Sequence, residues 1–155
     1  MIRIARILVP TDFSEFSKCA IRYGCEMARR FNAEVTFLHV VEDIHPLVAD
    51  PGVFVGTAVE LVGSLRQSAE KGLENFIPQE WTDGLTVHRK VVVGVPFLEV
   101  VRYAKENQTD LLIVTTHGRT GLAHVLLGSV AERIVRKSPC PVLTVRPEGH
   151  GFVVP

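Results

Sequence analysis

Two polar segments of the chain combine residue types that could bind a phosphorylated ligand. Pro10-Thr11-Asp12 follows the aliphatic run Ile7-Leu8-Val9, and a longer glycine-containing segment extends from Thr115 to Gly128-Ser129. Glycine lets a ligand approach the backbone closely. Where a helix begins, free N–H groups and the positive end of the helix dipole favour an anion. The longer segment is therefore a candidate phosphate site, because Gly128-Ser129 stands at the predicted start of a helix.

Within this longer segment, Gly118, Arg119 and Ser129 are the candidates for anion binding. Arg119 would supply a cation, and the Ser129 hydroxyl could either donate to a phosphate or cap the helix. Glycines at a strand-to-helix turn often serve the turn alone, so spacing by itself leaves both interpretations open. The chain contains no G-x-x-x-x-G-K-[ST] motif, and no G-x-G-x-x-G follows the first strand.

The other reactive side chains have simpler explanations. Asp12 could cap the first helix as readily as bind a ligand. His117 is the nearest candidate base, but an isolated loop histidine is usually only solvated. His39 lies in an apolar strand, where we expect a hydrogen-bonded structural role. The cysteines at positions 19, 25 and 140 match neither a zinc site nor a disulfide framework. We therefore predict no catalytic residue and no protein metal ligands.

Strand-like and helix-like segments alternate along the chain and would position these residues. Strands are predicted at residues 7–9, 34–41, 85–93, 110–114 and 142–145. Helices are predicted at residues 14–30, 57–76, from Pro96 through Ala104, and at 127–137, with a long loop at 42–56. Asp12 or Ser14 would cap the first helix, and Asn32 would end it. The apolar stripe of that helix is predicted to be Phe16, Ala20, Tyr23, Met27 and Phe31. The stripe of the second helix is predicted to be Ala58, Leu61, Leu65, Ala69, Leu73 and Phe76.

Five strands alternating with four helices predict an α/β domain with a mostly parallel sheet, because parallel neighbours require crossover helices. Right-handed crossovers place helices on both faces of the sheet. In such sheets ligands bind beyond the carboxyl ends of the strands, where the strand order reverses. The residues after the first and fourth strands are therefore expected to form the site. One domain at residues 1–146 and a tail at 147–155 are predicted.

The balance of charged residues and the lengths of the apolar runs argue against nucleic acid and membranes as partners. Lys and Arg total 17, as do Asp and Glu, so no overall positive charge favours nucleic acid or an anionic membrane. No apolar run is long enough to cross a bilayer, and the amino terminus shows no signal-peptide pattern. We expect a cytosolic protein with reduced thiols.

Three stretches of the sequence resemble the universal stress protein family. They are Ile7 to Ser14, Leu38-His39-Val40-Val41, and the long stretch from Thr116 to Leu143. The resemblance covers nearly the whole chain and implies a Rossmann-like open sandwich of five parallel strands in the order 3-2-1-4-5. It also implies the loop motif of the ATP-binding branch: Gly, two residues, Gly, nine residues, then Gly-Ser or Gly-Thr. Gly118 and Gly128-Ser129 match that motif in register, and Thr115 stands where its first glycine is expected.

This resemblance implies a nucleotide site for ATP, or AMP or ADP, with Mg²⁺ held mainly by the phosphates. Asp12 would bond to the adenosine moiety, Pro10 and Thr11 would line its pocket, and Val40 would contact the adenine. Thr115 would pass beside the ribose. The residues implied to surround the phosphates are Gly118, Arg119, Gly128, Ser129 and Val130.

Three functions are compatible with these residues. The resemblance favours a nucleotide-binding sensor or regulatory switch in a stress response. The alternatives are a relative that acts through protein partners without nucleotide, and a slow ATPase, which lacks an evident general base. The family's habit of dimerising through the last strand predicts a homodimer through residues 142–145.

Overall fold

The structure, a computed structural model, describes residues 2–42, 55–116 and 128–146, without the side chains of residues 55–58. These residues form five strands and five helices. In chain order they are β1 (Arg6–Pro10), α1 (Glu15–Phe31), β2 (Glu34–Glu42), α2 (Val55–Phe76), α3 (Gln79–Thr82), β3 (Val87–Gly94), α4 (Pro96–Glu106), β4 (Leu111–Thr115), α5 (Ser129–Lys137) and β5 (Val142–Val145).

The strands form one parallel sheet in the order β3-β2-β1-β4-β5, which confirms the predicted architecture. Within it, Val9 of β1 lies opposite Phe37 of β2, and Ile7 of β1 lies opposite Leu111 of β4. The chain therefore moves outward from β1 to β3 in one direction and then returns past β1 to β4 in the other. The order reverses between β1 and β4, which is where parallel sheets of this kind bind ligands.

Each central strand contributes side chains to two apolar layers, because successive residues of a strand point to opposite faces. Ile7 and Val9 belong to the layer that α1 and α2 cover, whereas Leu8 belongs to the layer that α4 and α5 cover. β1 and β4 are aliphatic on both faces, as their continuous apolar sequences predict. The two layers hold the sheet between its helices.

Helix α1 has the predicted ends but a different buried face. Its N-cap is Ser14, whose side chain accepts from the N–H of Ser17, and Asn32 ends it in the left-handed conformation at φ 51°. The predicted stripe is wrong at Tyr23 and Phe31, which are 50% and 46% exposed. The buried residues are Ser17, Ala20, Ile21, Gly24, Cys25 and Ala28, which are small except for Ile21. Small side chains let the helix lie close to the sheet, which outweighs the larger apolar area of the predicted stripe.

Helix α2 follows its predicted stripe only in its second half. Ala69 and Leu73 are buried, whereas Leu61 and Leu65 are 48% and 39% exposed. The one-turn helix α3 was not predicted; its Trp81 packs against the core that α1 and α2 cover. Most of the predicted loop at 42–56 and the whole predicted tail lie outside the described residues. None of the described helices is long and apolar enough to span a membrane.

Candidate functional site

A cavity of about 650 Å³ opens at the carboxyl edge of the sheet, where the strand order reverses. It lies between the ends of β1, β2 and β4 and the first turn of α5. Eight of the ten predicted site residues line it: Pro10, Thr11, Asp12, Val40, Thr115, Gly128, Ser129 and Val130. The other two, Gly118 and Arg119, lie outside the described residues. Residues from four separate parts of the chain therefore meet at one opening.

Asp12 lies just beyond the end of β1 and is held by the start of α1. Its Oδ1 atom accepts from the backbone N–H of Ser14 at 3.0 Å and from the Ser14 hydroxyl at 2.6 Å. Ser14 is itself the N-cap of α1, so Asp12 supports the cap residue and does not cap the helix directly. The two interpretations of Asp12 are thus compatible, because the same carboxylate also lines the cavity.

Thr11 is buried behind Asp12 and joins β1 to β2 and α1. Its N–H donates to Leu38 O at 2.9 Å, which continues the β1–β2 ladder by one bond. Its hydroxyl lies 2.8 Å from the Ser17 hydroxyl. The His39 ring contacts the same residue, with Nδ1 at 2.8 Å from the Thr11 carbonyl oxygen. His39 is therefore a buried, hydrogen-bonded residue, as expected from its apolar strand.

Phe13 turns the chain from β1 toward α1. It has a positive φ of 62°, which is uncommon for a bulky residue. Its ring stacks on the His39 ring with 4.2 Å between centroids and meets Phe76 edge-on at 5.4 Å. These ring contacts hold the turn that places Asp12 at the cavity.

The first turn of α5 forms another part of the cavity wall. Gly128 is the N-cap and has no side chain with which to cap the helix. The N–H groups of Ser129, Val130 and Ala131 therefore have no acceptor within the helix and no capping side chain on Gly128. The predicted helix start at Gly128-Ser129 is confirmed, with Ser129 as the first helical residue. This end of the cavity suits an anion.

Backbone hydrogen bonds tie the end of β4 to both β5 and α5. The N–H of Thr116 donates to Val145 O at 3.0 Å, and its carbonyl accepts from the N–H of Gly128 at 2.7 Å. Thr115 is the last residue of β4 and lies opposite Val145. The start of α5 is thus positioned directly by the end of a central strand.

The remaining walls of the cavity are mainly apolar. They come from α2, from α4 and from the inner face of α5, through Leu65, Ala69, Val100, Ala131 and Ile134. Among the described lining residues the carboxylates are Asp12 and Glu42, and Lys and Arg are absent. Negative ligand charge would therefore be met, within this part of the chain, by the backbone N–H groups of α5.

The described residues bring together no three His, Cys, Asp or Glu side chains that could hold a metal ion. All three cysteines are free thiols. Burial raises the pKa of the Cys25 thiol to about 11, and it also raises the pKa of the Cys140 thiol. Neither thiol is activated as a nucleophile, because burial disfavours the thiolate.

Comparison with known proteins fits this architecture. Residues 3–146 match the model of the universal stress protein family. The chain belongs to the universal stress protein family. Over 144 residues it is 37% identical to universal stress protein MJ0531 of Methanocaldococcus jannaschii, which covers 91% of this chain and 81% of that relative. It is 35% identical over 152 residues to universal stress protein MJ0577 of the same organism, covering 91% and 94% of the two chains.

Solved structures of universal stress proteins share the fold. The structure of MJ0577 superposes with a TM-score of 0.76 at 33% identity and covers 96% of this chain and 99% of its own. A universal stress protein in complex with cAMP superposes with a TM-score of 0.59 at 24% identity, covering 92% and 97% of the two chains. One from Archaeoglobus fulgidus in complex with dAMP gives 0.55 at 17% identity, covering 93% and 98%.

Several lining residues of this universal stress protein were not predicted as site residues. Glu42 ends β2 at the cavity, and Leu65 and Ala69 approach it from α2. Ser17 also lines it, through the first turn of α1. The apolar spacing of α2 gave a signal for Ala69, but no sequence pattern links residues 42 or 17 to this edge of the sheet.

Proposed function

We propose that this universal stress protein binds an adenine nucleotide, ATP or else AMP or ADP, as a regulatory or sensing module in a stress response. The observation that carries the proposal is the convergence on one cavity of Asp12, Val40, Thr115 and the first turn of α5. These residues come from four elements that are distant in sequence and meet only because the sheet has this strand order.

The size and polarity of the cavity fit such a ligand. Its volume of about 650 Å³ lies within the range of about 300–1,000 Å³ that small-molecule sites occupy. Apolar walls suit a base and the carbon face of a sugar, and the start of α5, where Gly128 has no capping side chain, suits phosphates. Both kinds of surface line the same cavity, as a nucleotide requires.

The resemblance to the family implies a role for each residue within the site. Asp12 would accept hydrogen bonds from the adenosine moiety, with Pro10 and Thr11 behind it, and Val40 would lie against the base. Thr115 would pass beside the ribose. The phosphates would lie at Gly128, Ser129 and Val130, joined by Gly118 and Arg119 of the intervening segment.

A Mg²⁺ ion would be held mainly by the phosphates. Such an ion usually takes one or two carboxylates and several waters beside its phosphate ligands. The described residues offer Asp12 and Glu42 at the cavity but no cluster of three potential ligands. This donor set fits an ion that arrives with the nucleotide and not one resident in the protein.

Solved relatives support an adenine nucleotide as the ligand class. The two superposed universal stress proteins in complex with cAMP and with dAMP carry ligands that share an adenine base and a phosphate. Their identity to this chain is low, so the residues of the cavity carry the proposal and these relatives add the chemical class.

The test is to denature freshly purified protein, to identify any released nucleotide by mass spectrometry, and to titrate nucleotide-free protein with ATP and Mg²⁺ by calorimetry. We expect adenine nucleotide in the released material or saturable binding in the titration. Asp12→Ala should weaken binding, whereas Asp83→Ala, an exposed carboxylate in the α3–β3 turn, should not. Absence of nucleotide together with no heat on titration would refute the proposal. Phosphate release that Asp12→Ala abolishes would instead favour the slow ATPase.

We further propose a cytoplasmic homodimer that pairs through β5. The carbonyl oxygens of Pro141 and Val145 accept from the N–H groups of Leu112 and Thr116. Because alternate residues of a strand direct their backbone groups to opposite sides, those of Val142 and Thr144 face away from the sheet. Among the described residues β5 is thus an edge strand, and its outward N–H groups would pair with a second copy. Thr144→Pro removes one such N–H without removing a bond to β4. Light scattering should show a dimer for the wild type and a monomer for this variant; a wild-type monomer would contradict the proposal.

A further inference from the structure

The hydrogen bonds of Thr11 connect it to three other parts of the chain. Its N–H donates to Leu38 O, its carbonyl lies 2.8 Å from His39 Nδ1, and its hydroxyl contacts both Ser17 and Phe13. A buried residue with every polar group bonded has little freedom to shift. Thr11 is therefore a fixed point between β1, β2 and α1, directly before Asp12.

The direction of each hydroxyl bond around Thr11 follows from the proton count. Ser17 Oγ lies 2.7 Å from the carbonyl oxygen of Ser14, which can only accept, so the Ser17 proton points there. The Thr11 hydroxyl must then donate to Ser17 Oγ at 2.8 Å. It accepts in turn from the N–H of Phe13 at 3.2 Å. The Thr11 hydroxyl proton is thus committed to Ser17 and is not available to donate to a ligand.

The same argument determines the tautomer of His39. The Thr11 carbonyl oxygen has no proton to donate, so the bond of 2.8 Å requires a proton on His39 Nδ1. The Phe13 ring stacked on His39 fixes the ring plane that aims Nδ1 at this carbonyl. His39 therefore holds the carbonyl side of Thr11, while Ser17 holds its hydroxyl.

We infer that Thr11, Ser17 and His39 are positioning residues that present Asp12 to the ligand. The inference rests on the proposed function for the ligand, but the network itself is a property of the protein without nucleotide. Thr11 fixes the backbone directly before Asp12, and Ser14 holds the Asp12 carboxylate through two hydrogen bonds to Oδ1. Pre-organisation of this kind favours binding because less freedom is lost when the ligand arrives.

The first experiment needs no nucleotide and no variant. The ¹⁵N chemical shifts of the His39 imidazole at pH 8 report which ring nitrogen carries the proton. We expect the Nδ1–H tautomer. A proton on Nε2 alone would overturn the inference, because Nδ1 could then not donate to Thr11.

The second experiment compares Thr11→Val, which keeps the shape but removes the hydroxyl, with the conservative Thr11→Ser. Without nucleotide, amide exchange at Phe13 should rise about tenfold in Thr11→Val, since its acceptor is lost. ATP affinity should fall about tenfold in Thr11→Val and be largely recovered in Thr11→Ser. The matched control is Thr36→Val, a half-buried strand threonine at the opposite edge of the sheet, which should leave both measurements unchanged.

The outcomes separate this inference from the proposed function. If wild-type protein binds no nucleotide, the proposed function fails, while the tautomer and amide exchange still decide whether the network exists. If Thr11→Val binds ATP as tightly as the wild type, the positioning role is wrong. If Thr11→Ser fails to recover the affinity, the methyl group and not the hydroxyl matters, and the inference is also overturned.

Discussion

Replacing Gly24 by alanine tests how closely α1 must lie on β1 to build the site. Gly24 lies in the buried face of α1, and an added Cβ would stand 2.6 Å from Val9 Cγ2 and 3.8 Å from Val35 Cγ2. Carbon atoms that are not bonded to each other do not approach to 2.6 Å, so the contact must be relieved. Val9 is fully buried and its β-branched side chain is stiff, so the helix and not the side chain has to move.

Two opposing effects set the magnitude. Alanine is favoured over glycine in a helix interior by about 1 kcal/mol. Overpacking a dense core costs about 1–3 kcal/mol. We expect Gly24→Ala to lower the free energy of unfolding by up to about 2 kcal/mol, and the melting temperature by about 2–4 °C per kcal/mol.

Gly63→Ala is the matched control, because Gly63 lies inside α2 with nothing within 4 Å of an added Cβ. It should raise the free energy of unfolding by about 0.5–1 kcal/mol. Urea denaturation followed by the fluorescence of Trp81, the single tryptophan, measures both variants. An equal stabilisation by the two substitutions would refute the claim that Gly24 sets the distance between α1 and β1.

Three further substitutions test other contacts. Thr115→Gly should change ATP affinity by less than about threefold if strand β4 serves the ligand through its backbone; much tighter binding in calorimetry would show that the threonine obstructs the site. Asp110→Ala removes the carboxylate that accepts from the N–H groups of Ala5 and Arg6 at 2.8 and 2.9 Å. It should lower the free energy of unfolding, measured by urea denaturation, by about 2 kcal/mol. A decrease of less than about 0.5 kcal/mol would contradict this role. Burial raises the pKa of Cys25 from 9.0 to about 11, so the thiol stabilises the fold below pH 9 and loses that contribution as the pH rises toward 11. Between pH 8 and pH 10 the free energy of unfolding, measured by urea denaturation, should therefore fall on the order of 1 kcal/mol more for the wild type than for Cys25→Ala. Equal decreases would exclude the effect.

The sequence predicted the sheet well because its central strands carry an unambiguous signal. Continuous aliphatic runs such as Leu111 to Val114 are typical of strands buried on both faces, and helical spacing separates them. The family resemblance supplied the strand order, which periodicity alone leaves open.

The faces of the helices were harder to predict. The stripe chosen for α1 followed the largest apolar residues, and Tyr23 and Phe31 proved exposed. Ser17 and Gly24 are buried instead, and at Gly24 the sheet leaves no room for a Cβ, which would stand 2.6 Å from Val9 Cγ2. Such steric matching depends on the partner surface and is absent from the periodicity of one helix.

The site was predicted as a set of residues but not as a network. Positions 10–12, 115 and 128–129 were expected together because strand ends share one edge of a parallel sheet, and the family resemblance added positions 40 and 130. The bond between His39 and Thr11 joins residues 28 apart in sequence, and the contact of Thr11 with Ser17 depends on the turn at Phe13. No local pattern encodes either contact.

The most direct test of the central claim is to map backbone amide shifts of nucleotide-free protein during titration with ATP and Mg²⁺. We predict saturable shifts concentrated at Asp12, Thr115, Thr116 and the first turn of α5, from Ser129 to Ala131. Residues at the opposite edge of the sheet, such as Glu34 and Thr36, should shift little. Saturable shifts centred on that opposite edge, or none at all, would contradict the account.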